Sequence, residues 1–240
     1  MSGHNKWSGI KHRKAAVDSK RAQSFTKHAK LITIAARDGG GDPITNFQLR
    51  LAIDRARLDN MPKDNIDRAV KRGTGELKDG AEIVEIIYEG VGPGNVMMLI
   101  KTTTDNRNRT VSEVKSIFTK NGGKLGEMGS AMWNFKKVGS IGVSITEGAD
   151  RDALEEQAID AGADDLLFVD DILVVYTAPE NLKTVQENLE KAGLKIEAAE
   201  MAYLPQQTVT LSPDQQIDYE KLLEVLDEHD DVQEIFDNIA

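Results

Sequence analysis

Residues 82–100 read EIVEIIYEGVGPGNVMMLI, and here the spacing of apolar residues changes from helical to strand-like. Two runs rich in Ile, Val and Met flank the turn-forming segment 90–94, a pattern typical of a β-hairpin with a five-residue loop. Upstream of Gly73 the apolar residues recur instead at helical spacing. The hairpin therefore follows a change from a helical region to a region that contains strands.

Three helices are predicted upstream of this hairpin. The first has Asp18 or Ser19 as its N-cap and ends at the glycines 39–41, which cannot continue a stable helix. The second covers about 46–59, and the third covers about 62–73, with a proline in its first turn and a glycine at its end. Short connections join the three helices, so a small all-α domain is expected.

Downstream of the hairpin the pattern predicts a helix at 107–120 and a strand at 131–135. A second run starts with a strand at 141–145 and continues as helix, strand, strand, helix and strand, the order of a ferredoxin-like unit. A last helix at 213–228 and a last strand at 231–238 lack a sheet of their own, so we expect them to complete the hairpin sheet. The expected fold class is α+β, with an N-terminal three-helix domain that carries a basic arm, then two ferredoxin-like α+β units, the third domain being inserted into the second. The predicted domains are 1–74, 75–137 plus 206–240, and 138–205.

The charges of the chain divide into two opposed blocks. Residues 1–72 contain sixteen Lys and Arg against seven Asp and Glu, a net charge of +9, whereas the remaining residues contain fourteen against thirty-three, a net charge of −19. Such asymmetry indicates a nucleic-acid or other polyanionic partner, because each phosphate that Lys or Arg neutralises releases condensed counterions. The basic N-terminal block is therefore the expected contact region.

Composition excludes several classes of function. The chain has 240 residues and no cysteine, so it is long enough for two or three domains, and disulfides, thiolate nucleophiles and Cys-ligated metals are excluded. No apolar run approaches the roughly 20 residues that a membrane span needs, and the first residues lack the apolar core of a signal peptide. An organelle transit peptide is disfavoured because the basic start leads into a capped helix. A cytoplasmic protein without a membrane partner is expected.

Two groups of residues are candidates for nucleic-acid contact. The first is the basic arm, in which Trp7 can stack on an exposed base; the alternative is a solvated terminus. In the second, Arg107, Arg109 and the free N–H groups of a helix start form an anion site; alternatively, Asp105 or Asn106 caps the helix and the arginines pair with acidic neighbours. The predicted contact residues are Lys6, Trp7, Lys11, His12, Arg13, Lys14, Lys20, Arg21, Lys27, Arg107 and Arg109.

Patterns for catalysis and metal binding are weak. The three histidines of the basic block match no zinc spacing. The acidic pairs 164–165 and 170–171 suit the ends of a strand, although paired carboxylates can bind Mg²⁺. The glycine-rich segment 121–130 is either a mobile contact element or a plain connector. We therefore expect no enzyme activity, no cofactor, no resident metal and no small-molecule substrate.

Short motifs spread along the chain resemble the signature of the YebC family. They are Gly3-His4-Asn5-Lys6-Trp7, Lys11-His12-Arg13-Lys14-Ala15, Gly39-Gly40-Gly41-Asp42-Pro43, Asn60-Met61-Pro62, Tyr88-Glu89-Gly90 with Gly92-Pro93, Asp105-Asn106-Arg107-Asn108-Arg109-Thr110 and Asn121-Gly122-Gly123. The resemblance covers almost the whole chain and is most specific in the first 135 residues. It implies three domains, the second discontinuous and the third inserted, in agreement with the organisation argued above.

The resemblance also implies a nucleic-acid-associated regulator of gene expression and no enzyme. Bacterial members are described as probable DNA-binding transcriptional regulators, the mitochondrial relative is a translational activator of cytochrome c oxidase, and other bacterial members act at the ribosome. One departure is Ala22-Gln23, where the family pattern has a Gly-Lys pair, so the arm lacks one cation. The expected function is that of a monomeric, non-enzymatic translation factor associated with the ribosome or rRNA, the alternative being a DNA-binding transcriptional regulator.

Overall fold

The computed structural model describes residues 19–77, 81–146 and 148–240, with side chains from Gln23 onward; Asp18, a predicted N-cap, lies outside this part. Within these ranges, three helices precede two four-stranded antiparallel sheets, which confirms the α+β fold class. Among the helices described, none has the length and apolar character that crossing a bilayer requires. The helices are α1 Ser19–Gly39, α2 Phe47–Leu58, α3 Lys63–Gly73, α4 Arg107–Lys120, α5 Arg151–Ala161, α6 Leu182–Lys191 and α7 Pro213–Asp227. The strands are β1 Val84–Val91, β2 Met97–Thr104, β3 Lys124–Leu125, β4 Phe135–Ser144, β5 Asp165–Val169, β6 Ile172–Thr177, β7 Ile196–Pro205 and β8 Val232–Asp237.

Helices α1, α2 and α3 pack around a core of their own. Asn46 caps α2 by accepting the N–H of Leu49 at 3.1 Å, and its amide donates to the Ala35 carbonyl at 2.7 Å, so the start of α2 is fixed against α1. Helices α1 and α3 meet at Gly73, where an added Cβ would lie 2.4 Å from the Thr33 carbonyl oxygen, so this crossing requires glycine. The buried apolar residues of this core are Ile32, Ala36, Leu49, Ile53, Ala56, Met61, Ile66 and Ala69.

The first sheet has the strand order β3-β1-β2-β8 and therefore joins distant parts of the chain. Strands β1 and β2 are the predicted hairpin, paired from Val84 opposite Thr104 to Val91 opposite Met97. The C-terminal strand β8 pairs antiparallel with β2, with Phe236 opposite Leu99. The last helix and strand thus return to the hairpin sheet.

The second sheet has the order β5-β6-β4-β7, which is the arrangement of a ferredoxin-like unit with β4 as its first strand. The first sheet has the same spatial layout with a different chain order, because the strand between β2 and β3 is β1, which precedes both. Each sheet carries two helices on its outer face, α4 with α7 and α5 with α6.

The two sheets pack face to face, so the strands form the two inner layers of a four-layer α/β/β/α arrangement. Leu99 and Phe236 of the first sheet contact the core that contains Val174 of the second. The neighbours of Val174 on β6, Leu173 and Val175, point to α5 and α6, as the two-residue period of a strand requires. Helix α4 is consequently an outer layer, and its first turn lies at the surface.

The strand predicted at 131–135 is wrong, whereas the strand predicted at 141–145 is present as the second half of a longer strand. One continuous strand, β4, covers Phe135–Ser144, and residues Met132–Asn134 form a 3₁₀ turn. The cause is a distant side chain, because the Glu89 carboxylate accepts the N–H groups of Ala131 and Met132, both at 2.7 Å, and removes them from strand pairing. The predicted boundary between 137 and 138 falls inside β4, and the division into three domains stays a prediction.

Candidate nucleic-acid interface

The structure places some of the predicted contact residues and not others. Lys20 and Arg21 lie in the first turn of α1, where the backbone alone is described. Lys27, Arg107 and Arg109 are described in full. The predicted arm contacts that lie outside the described residues are Lys6, Trp7, Lys11, His12, Arg13 and Lys14.

Lys27 holds α1 against the end of α7. Its Nζ donates to the carbonyl oxygen of Asp227 at 2.8 Å, at the last residue of α7. The final carbonyls of a helix have no partner inside the helix and carry partial negative charge, so a lysine there both satisfies a hydrogen bond and interacts favourably with the helix dipole. Gln23, one turn earlier on α1, donates to the next carbonyl, that of Glu228. In this structure Lys27 therefore makes an intramolecular contact.

Asp231 is the centre of the contact between α1 and α4. Its side chain is 2% exposed. Lys30 Nζ lies 2.5 Å from Oδ1, while Arg109 Nη2 at 3.1 Å and Thr110 Oγ1 at 2.7 Å donate to Oδ2. Burial alone would raise the pKa of Asp231, but the hydrogen bonds from Lys30, Thr110 and Arg109 outweigh it and hold the pKa well below its ordinary value. The start of α4 is thereby fixed beside α1.

The first turn of α4 separates the two predicted arginines. Asn106 caps the helix, because its Oδ1 accepts the N–H of Arg109 at 3.1 Å. The Arg109 guanidinium pairs with Asp105 at 3.1 Å as well as with Asp231, so Arg109 has a structural role. The Arg107 side chain is exposed, and no carboxylate of the described residues lies within ion-pair distance of it. Arg107 is thus the arginine available to an external anion.

His28 of the basic block is a structural residue. It is 7% exposed, and its Nε2 lies 2.6 Å from Asp59 Oδ2 at the end of α2. The hydrogen bond from His28 lowers the pKa of Asp59 below its ordinary value. This pair joins α1 to α2 inside the helical region.

Arg55 of α2 contacts the sheets and does not face an external ligand. Its Nη1 lies 2.5 Å from a Glu200 oxygen on β7 and 3.1 Å from a Glu234 oxygen on β8. The charge of Glu200 is the largest reason that the pKa of Arg55 is raised, despite the opposing effect of burial. Lys101 on β2 lies 3.7 Å from the other Glu234 oxygen. Ion pairs therefore attach the helical region to the sheets at Asp231, Glu200 and Glu234.

Glu113, His229 and Asp231 form a group with metal-ligand chemistry. In the described part of the chain it is the one cluster of three or more such side chains whose ligand atoms lie within 4.8 Å of one another. His229 Nε2 lies 3.0 Å from Glu113, and its Nδ1 accepts the N–H of Asp231 at 3.1 Å. Both oxygens of Asp231 already accept hydrogen bonds from Lys30, Arg109 and Thr110, so the donor set fits an ion-pair network better than a metal site.

The pair 170–171 occupies a turn, whereas the pair 164–165 lies at the start of β5. Asp170 has φ 51° and lies with Asp171 in the tight turn between β5 and β6. Asp165 uses its Oδ1 to accept the N–H of Leu166 at 2.8 Å. Local backbone geometry accounts for these residue types.

The sequence did not predict that the carboxylates of Asp231, Glu89 and Glu234 hold distant parts of the chain together. Each is an acidic residue that is buried at 9% exposure or less. Their partners lie far away in sequence, so no local motif identifies them. The weak available signal is that Asp231 and Glu234 lie in the predicted last strand, where acidic residues at buried positions require partners.

Comparisons with known proteins match the whole chain. The family described as "TACO1/YebC protein N-terminal domain" matches residues 5–76, and the family described as "TACO1/YebC second and third domain" matches residues 83–239. A probable transcriptional regulatory protein of Thermoanaerobacter pseudethanolicus is 48% identical over 100% of this chain and 97% of its own length. One of Trichlorobacter lovleyi is 50% identical over 99% of this chain and 95% of its length. The crystal structure of a conserved hypothetical protein from Aquifex aeolicus matches with a TM-score of 0.87 and 43% identity, covering 95% of this chain and 93% of the other.

Proposed function

The chain belongs to the TACO1/YebC family, and we propose that it is a non-enzymatic regulator of gene expression that binds ribosomal RNA and acts on translation. The names of the relatives support a regulator. The charges and contacts of this chain favour RNA over DNA as the partner. Its cytoplasmic location and monomeric state stay predictions.

The observation that carries the proposal is the contact that Asp231 makes with both Lys30 and Arg109. The basic arm leads directly into α1, and Lys30 of α1 is fixed beside the first turn of α4. The exposed Arg107 therefore lies on the helix start that adjoins the helix carrying the arm. Asp231 thus brings Lys30 of α1 and the first turn of α4 together, and a phosphate backbone bound to Arg107 would lie beside the helix that follows the arm.

The charge of the rest of the chain supports selective contact. Outside the basic block the net charge is −19, so phosphates are repelled from most of the remaining surface. A polyanion is then attracted to one region and repelled elsewhere. This arrangement favours a defined docking orientation over indiscriminate adhesion to nucleic acid.

The three-helix region favours RNA over sequence reading of duplex DNA. Duplex readout usually places a helix with basic or polar side chains in the major groove. Arg55 on α2 is engaged with Glu200 and Glu234, so that side of the helix is covered. Helix α3 carries the exposed cations Arg68 and Lys71, but acidic residues, Asp64 and Asp67, are interleaved with them. Neither helix therefore presents a uniformly basic reading face.

Transcriptional regulation through DNA is the second candidate function. The names of the relatives favour it, since the proteins of Thermoanaerobacter pseudethanolicus and Trichlorobacter lovleyi are both called probable transcriptional regulatory proteins. The helical region would then be the reader, with Arg57, Arg68 and Lys71 as its exposed cations.

Crosslinking in cells, followed by sequencing of the attached RNA and the attached DNA from the same sample, tests the proposal. Enrichment of ribosomal RNA over the input, with DNA fragments distributed as in the input, is the expected result. Discrete DNA peaks with no rRNA enrichment would replace the translation assignment by the transcriptional one. A variant with Lys11, Arg13 and Lys14 changed to Gln is the control, because it should lose the RNA signal while its cellular amount stays the same.

Competition binding in vitro provides a second test. Labelled rRNA fragments are bound, and unlabelled RNA, promoter duplex and random duplex are compared as competitors. The proposal predicts that RNA competes best and that the two duplexes compete equally, because direct base readout is absent. Stronger competition by promoter duplex than by random duplex would support the DNA alternative.

A further inference from the structure

Residues 106–137 form a second basic segment inside the acidic part of the chain. They contain seven Lys and Arg and two Asp and Glu, a net charge of +5, whereas residues 73–240 as a whole carry −19. The segment starts with the first turn of α4 and continues beyond Arg107 and Arg109 through the glycine-rich loop to the start of β4. The remaining cations of the segment are Lys115, Lys120, Lys124, Lys136 and Lys137, and all of them are exposed.

Glu89 fixes both sides of the loop formed by residues 121–134, which we call the Trp133 loop. The Glu89 carbonyl accepts the N–H of Gly126 at 2.8 Å, and the Glu89 carboxylate accepts the N–H groups of Gly129, Ala131 and Met132, each at 2.7 Å. Burial alone would raise the pKa of Glu89, but these three donors together hold the pKa below its ordinary value. The two sides of the loop are thus both hydrogen-bonded to one residue of β1, Glu89.

Asn134 fixes the residue that follows Trp133. It is fully buried, its amide donates to the Gln207 carbonyl at 2.9 Å, and its Oδ1 accepts the Gln207 N–H at 2.8 Å. Gln206 adds a hydrogen bond from its side chain to the Trp133 carbonyl at 3.2 Å. The backbone on either side of Trp133 is therefore held by buried polar side chains, Glu89 before it and Asn134 after it.

The Trp133 ring is left open although its surroundings are fixed. Trp133 is 54% exposed, and its indole N–H already donates to the Ser130 carbonyl at 3.1 Å. Because the polar edge is satisfied within the loop, the free part of the residue is its apolar ring. Met128, at 98% exposure, lies on the same loop. A large exposed aromatic ring on a fixed loop is the form that base-stacking sites take.

The lysines around Trp133 are available to phosphates. Lys124 lies two residues before Gly126, and Lys136 lies three residues after Trp133. The two lysines therefore flank the part of the loop that is hydrogen-bonded to Glu89. In the described ranges, no carboxylate lies within ion-pair distance of Lys120, Lys124, Lys136 or Lys137. Glu127 is the acidic residue of the loop itself, and its side chain is exposed.

We propose that the Trp133 loop is a second nucleic-acid site, at which Trp133 stacks on an unpaired base of RNA while neighbouring lysines contact the flanking phosphates. This inference rests on the proposed function and extends it to a single-stranded stretch of the RNA partner. The lysines favour a polyanion over an apolar protein partner, and the fixed loop reduces the ordering cost of binding. Helix α4 joins the two contact regions, since Arg107 begins it and Lys120 ends it.

Tryptophan fluorescence tests this site directly, because the chain has two tryptophans, Trp7 and Trp133. In the full-length Trp7→Phe variant, Trp133 alone reports, and a short oligouridylate should quench its emission in a saturable manner. The matched control adds Trp133→Phe and Ile159→Trp to that background. Ile159 lies on α5, on the outer face of the second sheet, and is 56% exposed, so a tryptophan there has an exposure similar to that of Trp133. The emission of this tryptophan should not change when the oligouridylate is added.

Anisotropy of the same oligouridylate carrying a label separates failure of this inference from failure of the proposed function. Binding with unchanged Trp133 emission would overturn the site and leave the proposed function standing. No binding by either readout would overturn both. Trp133→Ala should weaken binding about 5- to 100-fold, the range expected for loss of one stacked base, whereas Trp133→Phe should largely retain it. Equal affinities for these two variants would also overturn the site.

Discussion

One buried carboxylate, Asp231, helps to hold the helical region on the sheets. It receives hydrogen bonds from α1 and from the first turn of α4, at 2% side-chain exposure. A buried charge is tolerated because it is paired and fully hydrogen-bonded, and removing the charge leaves cations without a partner. The position of Arg107 relative to α1 therefore depends on this residue.

Asp231→Asn should destabilise the protein by about 2 kcal/mol, below the full penalty for a broken buried pair because Lys30 and Arg109 remain partly exposed. Urea unfolding measures the change. Asp230→Asn is the matched control, since the exposed neighbouring side chain should contribute less than about 0.5 kcal/mol. Equal midpoints for the two variants would show that the Asp231 network does not stabilise the fold.

Acid should remove the contribution of Asp231. The pKa of this carboxyl is depressed in the folded state, so its stabilisation is fully present above the unfolded-state pKa of about 3.9 and is lost as pH falls through the folded-state pKa. The difference in unfolding free energy between wild type and Asp231→Asn should therefore be constant from neutral pH to about pH 5 and shrink below about pH 4. Urea titrations at several pH values measure it, and a difference that grew on acidification would contradict the assignment.

Glu89→Gln should loosen the Trp133 loop. A carboxylate accepts all three N–H groups, whereas a glutamine amide presents one acceptor oxygen and an NH₂ group that faces a donor. Loss of about 1–3 kcal/mol is expected for the unsatisfied donors. Hydrogen exchange at Gly129, Ala131 and Met132 should accelerate more than exchange in β6. Unchanged protection at these amides would show that Glu89 does not hold the loop.

At the scale of elements, α4 matters because its start and its end adjoin different basic groups. Its length of 14 residues corresponds to about 21 Å at 1.5 Å per residue. Arg107 and Arg109 lie in its first turn, although cations there oppose the helix dipole. The Asn106 cap and the acidic partners of Arg109 offset that cost.

Asn106→Ala should therefore destabilise the protein by about 1 kcal/mol, the usual effect of losing an N-cap side chain. Thermal or urea unfolding measures it. Asn108→Ala, an exposed change in the same first turn, should stay within about 0.5 kcal/mol of wild type. A smaller effect at Asn106 than at Asn108 would show that the cap observed here does not stabilise α4.

The elements that local chemistry determines could be predicted from the sequence, and those set by distant contacts could not. Caps and glycines mark α2, α3 and α4, and the alternation around 82–100 marks the hairpin. Residues 131–134 are apolar enough to suggest a strand, but Glu89, 42 positions from Ala131, takes their N–H groups. Asn134 likewise bonds Gln207, 73 positions away. A short window of sequence around residues 131–134 contains neither Glu89 nor Gln207.

At the scale of the whole molecule, the division of charge could be read from the sequence but its geometry could not. Lys27 and Lys30 contact residues about two hundred positions away, and Arg109 contacts one 122 positions away. For this reason the sequence grouped Arg107 with Arg109, whereas the structure pairs Arg109 internally and leaves Arg107 exposed. The long-range contacts make α1 and the basic start of α4 neighbours.

Salt dependence of RNA binding shows whether the arm and α4 bind phosphates. The logarithm of the association constant is measured against the logarithm of salt concentration for wild type, for the variant with Lys11, Arg13 and Lys14 changed to Gln, and for the same variant with Arg107→Gln added. The matched control is the double variant Lys183→Gln with Lys191→Gln. Both of these lysines are exposed on α6, which lies on the outer face of the second sheet. For a single strand the slope should fall by about two for the arm variant and by a further 0.7 or so with Arg107→Gln, and the control should keep the wild-type slope. Slopes that are equal in all four proteins would contradict phosphate binding by the arm and by α4.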